Sequence, residues 1–177
     1  MNKKSTIDFT MGADPEFVCI HKNGQVVESG KVIDRDWNFG CDGNQVTFEV
    51  RPAPSKNPIE IVHNIRDIFV RQIIEKPSFL KYKWISGSNY QRYPIGGHIH
   101  FGLKTKQINH RTAAAFLDNY VASLSILLEN KDDGLARRSQ SYGCMSDCRE
   151  QNWGFEYRPI SSWISTPYVA TAILALS

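Results

Sequence analysis

The chain has 177 residues, of which 41% are apolar, 22% charged and 11% aromatic, and its net charge is +3. That length fits one domain with a real hydrophobic core, and the aromatic share excludes a disordered chain. A charge of +3 permits an anionic ligand such as a nucleotide but is too small for a nucleic-acid footprint, which needs a clustered basic stripe.

The first nine residues carry two lysines, followed by an acid and strand-like alternation in place of an apolar signal core. The longest apolar run, residues 169–176, falls well short of the roughly 18 residues of a membrane span. A soluble, cytoplasmic protein with no membrane or nucleic-acid partner is expected. Cys19, Cys41, Cys144 and Cys148 show no C-x-x-C spacing, so they read as free thiols.

In chain order, residues 6–20 predict a strand pair or one bent strand, with Pro15 at an edge, a bulge or a strand start. Asn23-Gly24 is a hairpin signal that turns the chain into residues 25–28. Polar, glycine-rich residues 29–44 predict a loop, and 45–51 a strand stopped by Pro52 and Pro54. Asn57-Pro58-Ile59-Glu60 is a helix start resembling a capping box. Ile61, Ile65, Ile68, Phe69 and Ile73 then recur at helical spacing until Lys76-Pro77. A short strand at 83–86, a loop at 87–94 and a strand at 96–103 follow. A second helix is predicted over 111–130, closed by Asp132-Asp133-Gly134. Residues 135–151 predict an arginine-rich loop of the kind that binds anions, and 153–160 a strand. Thr166-Pro167 starts an apolar helix that stops at Ser177 without a cap, as expected of a truncated chain or of a helix packing on something outside this sequence.

Four strand-like segments carry ionisable pairs at i, i+2: Asp14 and Glu16 in GADPEF, Glu49 and Arg51 in FEVRP, His98 and His100 in GGHIHFG, and Glu156 and Arg158 in FEYRP. Asp34 and Asp36 share the spacing but fall in the predicted loop. Side chains two apart on a strand leave the same face, so on one sheet these pairs form a charged site. Two neighbouring carboxylates repel unless a cation or arginine sits between them. Glycines flanking the H-x-H let a backbone approach a ligand, and the imidazoles offer metal ligation, phosphate contact or proton transfer. Carboxylates with one imidazole prefer Mg2+ or Mn2+ over zinc, and surrounding arginines would hold phosphates.

At GADPEF, FEVRPAPS, GGHIHFG and WGFEYRPISSW, in that order over residues 12–163, the chain resembles the carboxylate-amine ligases (amidoligases) of the glutamine synthetase and glutamate-cysteine ligase superfamily, most of all the phage-type COOH-NH2 ligases. The resemblance implies an α+β fold, a curved antiparallel sheet with helices on one face, forming a single glutamine synthetase-like catalytic domain over 1–177. It implies ATP and Mg2+ or Mn2+, and an amide bond formed through an acyl phosphate. Asp14, Glu16, Glu49, His98 and Glu156 match the metal-binding positions, His98 and Glu156 sharing a metal. His100 and Arg158 would meet the phosphates or the substrate carboxylate, with Arg51 beside them as a catalytic arginine. Arg137, Arg138 and Arg149 fall where such enzymes bind phosphate. Asp14 stands where a Glu is commoner, which shortens its reach by one methylene.

The implied partners are small-molecule or peptide acids and amines, and a neighbouring copy that can complete the site. Two other readings remain: a metal-dependent hydrolase using the H-x-H, and an inactive ligase fold that binds a nucleotide or peptide. No Walker-type loop is present, so nucleotide binding would rest on metal and arginine.

Overall fold

The computed structural model describes residues 8–34, 38–42, 46–103 and 108–177. Its centre is a long strand, β1 (Phe9–Ile20), joined by β2 (Phe39–Cys41), β3 (Phe48–Val50) and β4 (Lys83–Ile85). A two-residue pair, β5 (Asn89–Tyr90) and β6 (Tyr93–Pro94), stands apart, and β7 (Gly97–Leu103), β8 (Cys148–Gln151) and β9 (Gly154–Tyr157) complete the main sheet. The sheet order is β2-β3-β1-β7-β9-β8, with β4 also on β1, and every pairing described is antiparallel. The protein is therefore α+β, with a mostly antiparallel sheet.

Pro15 falls where β1 passes from pairing with β7 (Phe9 to Pro15) to pairing with β3 and β4 (Glu16 to Ile20). The N–H it lacks thus coincides with a change of partner. Alternation then divides the faces. Met11, Ala13, Phe17 and Cys19 of β1, Ile99 and Phe101 of β7, and Phe155 and Tyr157 of β9 belong to the core. Phe17 stacks on Phe39, Phe48 and Trp84 at centroid distances of 5.9, 5.6 and 4.7 Å. The intervening residues of β1, β7 and β9 carry the charged pairs to the other face.

Helices close the core side. In α1 (Pro58–Ile68), the Asn57 side chain accepts from the Ile59 N–H, Pro58 occupies the first turn, and Ile61, Ile65 and Ile68 are buried. A π-helical turn, Phe69–Ile74, carries the helix on towards Lys76, and α2 (Pro77–Leu80) follows. The second predicted helix is really α3 (His110–Leu117), a π-helical segment Asp118–Ala122, and α4 (Ser123–Ile126). Ala114, Leu117, Val121 and Ala122 of this run join Ala170, Ile173 and Leu174 of α6 (Pro167–Leu176) in the same core.

Three expectations are corrected. Residues 29–44 are not all loop: β2 lies within them, and its Phe39 is completely buried in the aromatic stack. The predicted loop 87–94 holds the pair β5 and β6, whereas the chain does turn back at Asn23-Gly24, where Ile20 bridges Val26 and the Val27 N–H donates to the Cys19 carbonyl at 2.8 Å. Asp132-Asp133-Gly134 opens a helix instead of closing one. In α5 (Lys131–Ser139), Asn130 caps the N–H groups of Asp132 and Asp133, the two acids sit in the first turn, and Arg137 and Arg138 in the last. The predicted loop 135–151 therefore contains most of α5 and all of β8. Asp36 lies outside the described residues. All four cysteines are free. Among the described residues no helix is long and apolar enough to cross a membrane.

Candidate active site

Strand register brings the charged pairs together. Asp14 sits opposite His98, Glu16 opposite Glu49, His100 opposite Glu156, and Glu156 opposite Arg149 of β8. The row crosses four adjacent strands from β3 to β9 and continues onto β8. Glu16, Glu49, His98 and Glu156 are each at most 6% exposed. Ionisable groups at that depth need partners or bound cations.

The His98 Nδ1 lies 3.1 Å from Asp14 Oδ1 and 3.4 Å from Glu156 Oε1, and His100 Nε2 is 3.3 Å from Asp14 Oδ2. Asp14 Oδ1 and His98 Nδ1 are close but not aligned for a hydrogen bond, and both are buried with no hydrogen-bond partner. Donor atoms of Asp14, His100 and Glu156 all lie within 4.8 Å of one another, and so do those of Glu16, Asp42 and Glu49. The histidine of the first triad is thus His100, expected nearer the phosphates, while His98 sits deeper between Asp14 and Glu156.

Arginines neutralise the rim. Arg149 donates from Nε (2.9 Å) and a terminal nitrogen (2.7 Å) to the two oxygens of Glu156. The Arg158 Nε is 3.5 Å from the same carboxylate, and Arg51 pairs with Glu49 and donates to the Cys41 carbonyl at 3.1 Å. Arg137 and Arg138 do not join them. The Arg137 guanidinium is fully buried and donates to the carbonyls of Arg158, Pro159 and Ile160, while Arg138 binds Glu129 at 2.6 Å. Where phosphate contacts were expected, these internal bonds engage both guanidiniums, Arg137 with the backbone after β9 and Arg138 with Glu129.

The roof comes from the segment after α5. Tyr142 donates its hydroxyl to Glu16 Oε1 at 2.9 Å and lies 2.9 Å from His98 Nε2. Its ring packs under the guanidiniums of Arg137 (4.8 Å) and Arg158 (5.7 Å). The Gly96 N–H takes the other oxygen of Glu16 at 2.5 Å. A side chain there would have to displace both groups, since a Cβ on Gly96 would fall 2.6 Å from His98 Nε2 and 2.8 Å from the Tyr142 hydroxyl. The glycine ahead of the H-x-H thus leaves room for the histidine itself.

Burial pushes the Glu49 carboxyl up to about 8 from an ordinary 4.5, with Asp14 adding to it and Arg51 opposing. Glu16 is raised by burial, with Asp42 and Asp14 adding. Burial pulls His98 down, but Asp14, Glu16 and Glu156 together lift it from 6.5 to about 9. Asp14 is the reverse case: burial raises it, yet His98 and His100 hold it well below the carboxylate range.

A proton bound more tightly by the native state stabilises the fold only while it is on. Glu49's contribution is complete below about 4.5 and gone above about 8, and His98's is complete below about 6.5 and gone above about 9. Asp14 contributes above its ordinary 3.8, so it does not alter that window. In chelator, the melting temperature should fall on the order of 5 °C between pH 6 and pH 9. A divalent cation held by the deprotonated groups would shrink that fall. Thermal melts across pH with and without Mg2+ check this, and a metal-free stability that rises over the window would contradict the cluster's charge balance.

Sequence reasoning missed Asp42 and Tyr142. Asp42 fell within the predicted loop 29–44, although it follows β2 directly and lies with Glu16 and Glu49. Nothing in the spacing around Tyr142 marked it, since its place depends on the chain path after α5. The other histidines stay away: His21 packs edge-on to Tyr82, His63 rides on α1, and His110 opens α3 at 4.0 Å from Glu150. They supply none of the further ligands that a hydrolase centre would need. A family model described as phage phiEco32-like COOH.NH2 ligase-type 2 matches residues 11–177. No curated protein and no solved structure matches the chain.

Proposed function

From the premise that this chain belongs to the phage phiEco32-like COOH.NH2 ligase type 2 family, and so to enzymes that join carboxyl and amine groups, we propose that it is an ATP-dependent amidoligase acting through an acyl phosphate. A carboxylate is a poor acyl donor because its leaving group is oxide. Transfer of the ATP γ-phosphoryl group to the carboxylate oxygen supplies a phosphate leaving group and releases ADP. The amine, after losing a proton, attacks the acyl carbon, and the C–O bond to phosphate breaks as the amide forms.

The observation that carries this reading is the shared face of β3, β1, β7 and β9, where Asp14 Oδ1 and His98 Nδ1 are buried without hydrogen-bond partners. An oxygen-rich donor set with imidazole suits a hard divalent cation. Asp14, Glu16, Glu49, His98 and Glu156 would hold Mg2+ or Mn2+, joined by Asp42 and His100. The ion would offset negative charge on the transferring phosphoryl group.

The chain's own groups do the rest. Arg51, Arg149 and Arg158 ring the acids and present planar donors that match phosphate and carboxylate oxygens. Arg158, 24% exposed and beside Glu156, is placed to steady the transferred group, with Arg51 serving the Glu49 side. His100, with 26% of its side chain exposed, reaches the mouth of the cluster, where it can contact phosphate.

Purified protein with ATP and Mg2+ is offered panels of amino acids and peptides as acids and amines. ADP should form together with a product lighter than the summed acid and amine by one water. ADP formation that no acid and amine pair increases, or product formed without ATP, would overturn the reading.

A further inference from the structure

A cavity of about 660 Å3 lies beside the acid cluster, bounded by residues 85–91, the chain from α4 into α5, residues 161–165 and α6. That volume is within the range of small-molecule sites. Gly96-Gly97 separates the two places. A Cβ on Gly96 would strike His98 and Tyr142 in the cluster, whereas a Cβ on Gly97 would fall 2.5 Å from the Ser161 carbonyl and 2.6 Å from the Trp163 ring in the cavity wall. The Trp163 Nε1 donates to the Gly97 carbonyl at 2.9 Å, and the Gly97 N–H to Ile160 at 3.1 Å. Gly97 thus packs directly on two residues of the cavity wall.

The walls combine acids, hydroxyls and apolar groups. Ser88, Asn89, Glu129, Asp133, Ser162 and Trp163 are among them, and none of the described residues lining the cavity is Lys, Arg or His. The Glu129 side chain is 3% exposed. One of its oxygens accepts from Arg138 at 2.6 Å, while the other is buried with no hydrogen-bond partner. The hydroxyls of Ser88 and Ser162 are likewise buried and unpartnered. Buried polar atoms left this way cost free energy that a donor-bearing ligand recovers. Arg138 offsets one of the two acids, so the walls retain about one negative charge through Asp133. Trp163 and Ile173 add apolar surface that suits a methylene stem.

We propose that this cavity binds a small organic cation, a primary ammonium or guanidinium on a short apolar stem. Glu129 and Asp133 take the charge, and Ser88 and Ser162 the remaining hydrogen bonds. The assignment stands apart from the ATP reading, because it concerns binding without nucleotide or metal.

Calorimetry of the metal-free full chain with agmatine, lysine and putrescine, against glutamate as an anionic control at fixed ionic strength, tests it. At least one cation should bind, glutamate should not, and Asp133→Asn should weaken the cation at least tenfold, as should Glu129→Gln if its circular dichroism matches the parent. Asp133→Asn keeps the Asn130 cap and serves as the variant that folds. No cation binding, or equal affinity in Asp133→Asn, overturns the proposal. Adding ATP, Mg2+ and an acid then separates the sources of the ligand: an acceptor substrate appears in an amide product, and a bound effector is recovered unchanged.

Discussion

Glu16→Gln is expected to cut ATP-dependent amide formation by roughly 10²–10³-fold, a loss of the size seen when one charge-stabilising group is removed from a reaction centre. The protein should remain folded. Glu16 is 2% exposed, and its two oxygens accept from the Gly96 N–H and the Tyr142 hydroxyl. Burial, Asp42 and Asp14 all raise its pKa, which means that the native state disfavours its charge. The amide keeps the shape and one acceptor oxygen but removes the charge. In chelator the melting temperature of the variant should therefore equal or exceed that of the parent, while its rescue by Mg2+ weakens. Product measured by mass spectrometry and melts with and without Mg2+ give both readouts. Full turnover in the variant would remove Glu16 from the site, and lost turnover with a collapsed melting temperature would make it structural.

Arg137→Met should act the other way, costing about 3–5 kcal/mol of stability. Its guanidinium is fully buried and holds three successive carbonyls, those of Arg158, Pro159 and Ile160, at 3.2, 2.6 and 2.9 Å. Methionine fills part of the volume but donates nothing, so the Arg158 and Pro159 carbonyls lose this donor in a dry setting and Ile160 keeps only the Gly97 N–H. The melting temperature should drop by roughly 10 °C or more in a chain of this size. Because those carbonyls follow Glu156 on the chain and Arg137 also packs on Tyr142, loosening should spread to the site roof. A melting temperature within about 2 °C of the parent would contradict the structural role and reopen a phosphate role for Arg137.

How far the sequence led differs from element to element. The i, i+2 pairs were legible because the two-residue period of a strand fixes which side chains share a face, whatever the partner strands are. The register that sets Asp14 against His98 and Glu16 against Glu49 was not legible, since it depends on contacts between segments tens of residues apart. α1 announced itself through Asn57, Pro58 and an apolar stripe. α5 hid because it is almost wholly polar, and its cap, acidic first turn and basic last turn went unread for want of apolar periodicity. Arg137 and Arg138 read as anion binders on that account. β2 was lost because three residues between polar turns give alternation too short to see, although Phe39 is central to the core.

The most direct test is a Mn2+ titration of the full chain followed by electron paramagnetic resonance, comparing the parent with Asp14→Asn at pH 8. Asp14 carries a buried oxygen that lacks a hydrogen-bond partner on the charged face, and a neutral amide there keeps the shape without the charge. The account predicts that the parent binds Mn2+ and that Asp14→Asn weakens it at least tenfold. A parent that binds no Mn2+, or a variant that binds it as tightly as the parent, would contradict it.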